Sequence, residues 1–139
     1  MTPLTLSNAQ MSSAYNARVY PASNAIDSDM YTTLMASNYQ ANAWLSARVP
    51  SGTQIGLVAV YNRNDGTYYQ NLLGSFDIWV GSSAGDRGVK CGSWTGATNS
   101  VGPFVINCGG VSSGEWVTLR QVGGARFLTI TGFRAYVHS

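Results

Sequence analysis

Three short stretches of this chain carry residues that could do chemistry. Arg63-Asn64-Asp65 follows directly on the most hydrophobic run, and Tyr68-Tyr69 stand just beyond it. Arginine presents a rigid fork of donors and stays charged at any working pH, so with an aspartate beside it the pair can bind adjacent sugar hydroxyls as donor and acceptor. The alternative is that Arg63 and Asp65 close on each other as an ion pair that fixes the turn. Tyrosine rings stack on the apolar face of a pyranose while the phenol hydrogen-bonds. Tyr15, Tyr20, Tyr31 and Tyr39 dot the first third of the chain, where they either serve such a ligand or cover the ends of the fold. The second stretch is Asn24-Ala25-Ile26-Asp27-Ser28-Asp29. Its carboxylates and carbonyls could serve a hard cation, which wants six to eight oxygens, or Asp27 could satisfy the amides of its own loop in an Asx turn. The third is the pair Cys91 and Cys108, which close a loop rich in Gly, Ser, Thr and Asn. The lone histidine, His138, leaves no zinc-site spacing. Two readings remain for the cysteines: a disulfide between neighbouring strands, or two buried thiols.

Catalysis finds little support. The carboxyl groups are Asp27, Asp29, Asp65, Asp77, Asp86 and Glu115, and nothing in their spacing brings two together as glycoside hydrolysis requires. Neither cysteine has an evident base, and His138 is terminal. The expectation is a protein that is not an enzyme.

The elements that must position these residues follow from composition and periodicity. A chain of 139 residues is long enough for one domain with its own core, so 1–139 is read as a single domain. Charged residues are 10% of it, far below the usual quarter or so, while Gly reaches 16 residues and aromatics 12%. The net charge is +2, from seven scattered Arg and one Lys, which gives no electrostatic footprint for nucleic acid. No run approaches the roughly 20 apolar residues of a membrane span, and Met1-Thr2-Pro3-Leu4 lacks a signal-peptide pattern. Short alternating runs at 43–49, 55–62, 76–80, 104–107, 116–120, 126–130 and 133–137 predict seven or eight strands, hence an all-β sandwich or barrel. Trp44, Trp79 and Trp116 are expected in its core and Trp94 at its surface. The segment from Asn8 to Asn42 is expected as a long loop region held by hydrogen bonds or by a bound ion.

The order of Met11-Ser12-Ser13-Ala14-Tyr15, Ala22-Ser23-Asn24-Ala25-Ile26-Asp27, Trp44, Val60-Tyr61-Asn62-Arg63-Asn64-Asp65, Phe76-Asp77-Ile78-Trp79-Val80-Gly81 and Gly114-Glu115-Trp116-Val117-Thr118-Leu119 resembles the discoidin, or coagulation factor 5/8 type C, superfamily, and most of all its F-type lectins. The resemblance spans nearly the whole chain. It implies a jelly-roll-like β-sandwich of the galactose-binding-domain type with a ligand site in the loops at one end, and a disulfide between Cys91 and Cys108. It also implies a structural Ca²⁺ with Asn24, Asp27, Asp29 and Thr33 as ligands, and a sugar site formed by Arg63 and Asp65, to which Tyr68, Tyr69, Gln70 and Tyr39 are added as contacts. The chain departs from the lectin pattern at several places. Gln70 stands where a second basic residue is expected, Ala36 near the place of a histidine, and Gly66-Thr67 in place of two adjacent cysteines. Near Gly132 an acidic calcium ligand is missing, with Arg134 close behind. These departures point away from fucose.

The leading expectation is therefore a lectin-like carbohydrate-binding domain for neutral glycans, extracellular or on a virion or cell surface, acting as a homo-oligomer or within a multidomain parent. The alternative is a structural or host-adhesion domain of a larger assembly, such as a virion or phage appendage, without a working sugar site. A phospholipid-binding mode fits poorly, because it needs apolar loop tips backed by basic residues, and the loops here are Tyr-rich with a single lysine in the chain.

Overall fold

The computed structural model describes residues 2–111 and 114–138. The strands are β1 (Ser7–Met11), β2 (Met35–Ala36), β3 (Trp44–Arg48), β4 (Ile55–Tyr61), β5 (Phe76–Gly81), β6 (Val89–Trp94), β7 (Phe104–Val111), β8 (Trp116–Gln121), β9 (Thr129–Ile130) and β10 (Gly132–Val137); a four-residue α-helix, α1, covers Thr67–Gln70, and a 3₁₀ turn covers Ala22–Ala25. A five-stranded sheet of order β1-β3-β8-β5-β6 packs on a three-stranded sheet β10-β4-β7, and β2 pairs with β9. Every one of these strand pairs is antiparallel. The result is an all-β sandwich.

Alternation along each strand decides what lies between the sheets. Leu45 and Ala47 of β3, Phe76, Ile78 and Val80 of β5, and Val117 and Leu119 of β8 enter one core with Val58 and Val60 of β4, Phe104 and Ile106 of β7, and Phe133 and Ala135 of β10. Trp44, Trp79 and Trp116 occupy the alternate positions and are only partly buried, so the expectation that they form the core is corrected: they stand on the outer face of the larger sheet. A loop at 82–88 folds over that face, where the Gly85 amide donates to Ser46 Oγ at 2.7 Å. A Cβ on Gly85 would fall 2.6 Å from the Trp44 indole. Trp94, expected at the surface, packs against the core instead, its ring 5.0 Å from that of Phe104.

The run 126–130 is not a full strand; Thr129–Ile130 pairs with Met35–Ala36, and Arg126 makes an isolated antiparallel bridge with Gln40. Conversely, β1, β2 and β6 had no clear signal, since Ser7–Met11 and Val89–Trp94 are mostly polar or small and lie at or near sheet edges.

Both open sides of the sandwich are closed. On one side a disulfide joins Cys91 of β6 to Cys108 of β7, with Cα atoms 4.6 Å apart and a sequence separation of 17, so it ties the edge of one sheet to the edge of the other. A loop of this length contributes about 3 kcal/mol in the chain-entropy account. On the other side, the segment before β1 runs along β10: Leu4 N donates to Ala135 O, and Val137 N to Thr2 O, each at 2.9 Å.

Candidate functional site

At the end of the sandwich where β4 and β8 finish and β5 and β10 begin, the loops enclose a cleft of about 360 Å³. Ala36 and Thr129, neighbours across the β2–β9 pair, form its floor; both are buried, and Thr129 Oγ1 has no hydrogen-bond partner among the described residues. The rest of its lining comes from Tyr15, Tyr20 and Leu34, from Arg63, Tyr68, Tyr69 and Leu72, and from Tyr39 and Phe127. The rim rings are open to solvent, with Tyr68 75%, Tyr39 65% and Tyr15 60% exposed.

These rings are held by one another. Phe127 receives Tyr15 edge-on at 5.7 Å and Tyr39 at 5.5 Å, and Tyr68 meets Tyr69 edge-on at 5.1 Å. Backbone bonds from Tyr15 N to Ala36 O (3.0 Å) and from Ala36 N to Tyr20 O (3.3 Å) seat the first loop on β2. The hydroxyls of Ser12 and Ser13 both reach Gln40 Oε1, which fixes Tyr39 beside them.

Arg63 is placed from below by a buried polar group of three side chains. Asn62 accepts the Arg63 amide at 3.0 Å and donates to Gln70 O and Thr98 O, each at 2.8 Å. Gln70 Nε2 donates to Arg63 O at 2.9 Å. Thr98 Oγ1 donates to Gln70 O at 3.2 Å. All three are buried, and low local dielectric makes such a satisfied network rigid. The Arg63 guanidinium lies 4.7 Å from the centre of the Tyr69 ring and grips Asp65 with both ends, Nε to Oδ1 at 2.7 Å and Nη2 to Oδ2 at 2.6 Å. Hydrogen bonding from Arg63 holds the Asp65 carboxyl below its ordinary range. The local ion pair therefore forms, and it aims the cation along the cleft wall.

The structure thus brings Arg63, Tyr68, Tyr69 and Tyr39 together. Asp65 stands behind Arg63 and does not line the cleft. Gln70 needs correction as a ligand contact: its side chain is buried and turned inward, supporting the turn. Ala36 does fall in the site, as a methyl on its floor. Sequence reasoning passed over Phe127, Asn62, Thr98 and Arg126. Arg126, half-buried, donates to the carbonyls of Leu72, Leu73, Ser75, Val122 and Gly124, which ties the loop after α1 to the loop carrying Phe127. Only the aromatic identity of Phe127 offered a signal in advance.

Asn24, Asp27, Asp29 and Thr33 also gather in one loop, but around donors of their own. Asn24 points its amide nitrogen at Leu34 O (3.0 Å) and Val19 O (3.3 Å). Asp27 accepts from Asp29 N at 3.1 Å and Thr33 Oγ1 at 2.7 Å. Asp29 accepts from Tyr31 N and Thr32 N, each at 2.9 Å, and from the Thr32 hydroxyl, and these bonds, the hydroxyl first, lower its pKa. Among the described residues no three His, Cys, Asp or Glu side chains are grouped to hold a metal. The donor set does not fit the calcium ion that the resemblance implies.

Among the described residues no carboxylate lines the cleft. Each acidic group has a local donor: Asp77 meets Ser93 and Lys90, Asp86 meets Ser82, and Glu115 meets Arg48. Among the described residues no helix is long and apolar enough to cross a membrane.

No protein-family model and no curated protein matches the chain. Solved structures do resemble it. A fucolectin from striped bass (Morone saxatilis) serum superposes with a TM-score of 0.81 at 19% identity, over 95% of this chain and 45% of the fish lectin's. The lectin domain of Lectinolysin complexed with Lewis B antigen gives 0.78 at 17% identity, over 96% and 94% of the two chains. A Clostridium perfringens CBM32 domain in complex with GalNAc-β-1,3-galactose gives 0.82 at 12% identity, over 98% of this chain and 100% of that one. This chain spans less than half of the striped bass protein and nearly all of the other two. The likeness establishes the fold, a galactose-binding-like, discoidin-type β-sandwich.

Proposed function

We propose that this domain is a non-catalytic carbohydrate-binding module that takes neutral glycans into the cleft between Tyr15, Tyr39, Phe127 and the Arg63–Tyr69 turn. The observation that carries the reading is a loop-end cleft of exposed aromatic rings with, among the described residues, a single cation, Arg63, whose charge is already matched by Asp65. Rings supply stacking faces for a pyranose, and the guanidinium edge left beyond Asp65 supplies donors to hydroxyls. A matched charge gives no net attraction to an acidic sugar. Three structural neighbours of the same fold carry sugar names or ligands, and these differ among themselves, so the fold supports a glycan and leaves its identity to the side chains. Ala36 and the inward Gln70 support a preference other than fucose. With each carboxylate held by local donors and none in the cleft, no acid–base pair faces a bound glycosidic bond. The disulfide supports an extracellular or surface setting. Single sugar sites are weak, so avidity would come from a second copy or a parent chain.

The test is a glycan array followed by calorimetry on the strongest glycan. Arg63→Ala is expected to weaken binding roughly tenfold or more, about 1.4 kcal/mol, and Tyr68→Ala to weaken it as well, with the thermal midpoint little changed. A second reading, an adhesion or structural domain of a larger assembly, is favoured by the mutual closure of Arg63 and Asp65, which leaves the turn satisfied without a ligand. Absence of binding to every glycan at high protein concentration would select it.

A further inference from the structure

We propose that the guanidinium of Arg134 is the resident cation of the Asn24–Thr33 loop and makes that loop independent of divalent metal. Arg134 lies on β10 opposite Ala59 of β4, on the outer face of the smaller sheet, because its neighbours Phe133 and Ala135 point into the core. From there Nη1 donates to Ala25 O and Phe133 O, each at 2.9 Å, and Nη2 donates to Asp27 O. One planar group thus binds two carbonyls of the loop's first limb and one of its own strand.

A calcium ion does similar work by collecting oxygens at roughly 2.3–2.6 Å. An ion on the Ala25 and Asp27 carbonyls would need the volume that the guanidinium fills, and would face its fixed positive charge. The carboxylates that could offset that repulsion are committed to Asp29 N, Thr33 Oγ1, Tyr31 N and Thr32. Arginine cannot dissociate as a metal does, and it is protonated at any working pH. The loop therefore keeps its cation in the presence of chelators and at any calcium level. Tyr31 meets Tyr61 edge-on at 5.9 Å, and Thr131 Oγ1 donates to Met30 O at 2.6 Å, so the arm after Asp29 is docked on the start of β10 and the end of β4 as well.

Thermal melts of the full chain in calcium chloride and in chelator, with terbium luminescence sensitised by Tyr31 and Tyr61, test this apart from any glycan. The wild-type midpoint is expected to coincide in the two conditions, with no saturable terbium signal. A calcium site filled at a hundredfold its Kd would raise the midpoint by roughly 10 °C, and such a rise would overturn the proposal. Arg134→Gln, neutral but still polar, is expected to melt roughly 5–10 °C lower in both conditions; an unchanged midpoint would overturn it. Arg134→Glu replaces the cation by a carboxylate against the same carbonyls, and is expected to bind terbium and to be stabilised by calcium chloride. Terbium binding of equal strength in wild type and Arg134→Glu would also overturn it.

Discussion

Arg126 offers the sharpest quantitative test of how the cleft is held. Its guanidinium donates to five backbone carbonyls, and Arg126→Met keeps the stem while deleting the donors. The bonds to Val122 and Gly124 are at the surface, where water replaces them at about zero cost. The acceptors Leu72 and Ser75 are half-buried and Leu73 is buried, but each keeps one other donor: Gln121 Nε2 reaches Leu72 O at 3.0 Å and Leu73 O at 3.2 Å, and Val122 N reaches Ser75 O at 3.0 Å. Each therefore loses a second bond and is not left bare, which costs about 0.5–1 kcal/mol apiece. The sum is about 2 kcal/mol, or roughly 7 °C in the melting midpoint for a chain of this size. Because Gln121 and Arg126 serve the same two carbonyls, Gln121→Leu combined with Arg126→Met strands both acceptors, so the pair should lose about 1 kcal/mol more than the sum of the single losses. Urea denaturation of the four proteins in a double-mutant cycle measures this. Additive losses, or a loss below about 0.5 kcal/mol for Arg126→Met, would show that the shared-acceptor argument is wrong.

Three further outcomes are expected. Arg63 holds the Asp65 carboxyl below its usual range, and a depressed folded-state pKa means that the pair is complete above the ordinary aspartate value and is lost only as pH falls through the depressed one. Glycan affinity should thus be flat from about pH 8 to about pH 5 and fall only below about 3.9; an inflection above pH 5 in calorimetry would count against the pair. Replacing Cys91 and Cys108 together by alanine should cost about 3 kcal/mol in denaturant titrations while leaving affinity alone, since neither cysteine lines the cleft. Gly85 has φ +78° with its missing Cβ 2.6 Å from the Trp44 indole, so Gly85→Ala should destabilise by about 2 kcal/mol and change the near-ultraviolet circular dichroism of Trp44.

Much of the frame can be read from the chain because its central strands alternate: β3, β4, β5, β8 and β10 fall within a residue or two of the runs that mark them, and the cysteine pair closes where the loop between them allows. The misses have physical causes. Ser7–Met11 and Val89–Trp94 bury little, so they carry no alternation to detect. Trp44, Trp79 and Trp116 have strand character, but a strand has two faces, and only the 82–88 loop shows that the outer one is also covered. Gln70 and Asn62 look like surface polar residues until the turn is closed over them. Arg126 and Arg134 were hardest, since both bind backbone carbonyls, and a carbonyl has no identity in the sequence. The Arg63 turn and its tyrosines were legible because their chemistry resides in their own side chains.

The closure of both sides of the sandwich bears on how this protein behaves in concentrated solution. A net charge of +2 on 139 residues gives molecules little mutual repulsion, and colloidal stability at near-neutral charge is ordinarily poor. Unpaired strand edges would then be the natural place for one copy to add to the next. Here the β6 and β7 edges are bound covalently to each other and the residues before β1 cover β10, so geometry performs the task that charge performs elsewhere. The two edges that low charge would leave unprotected are thus tied down within the molecule itself.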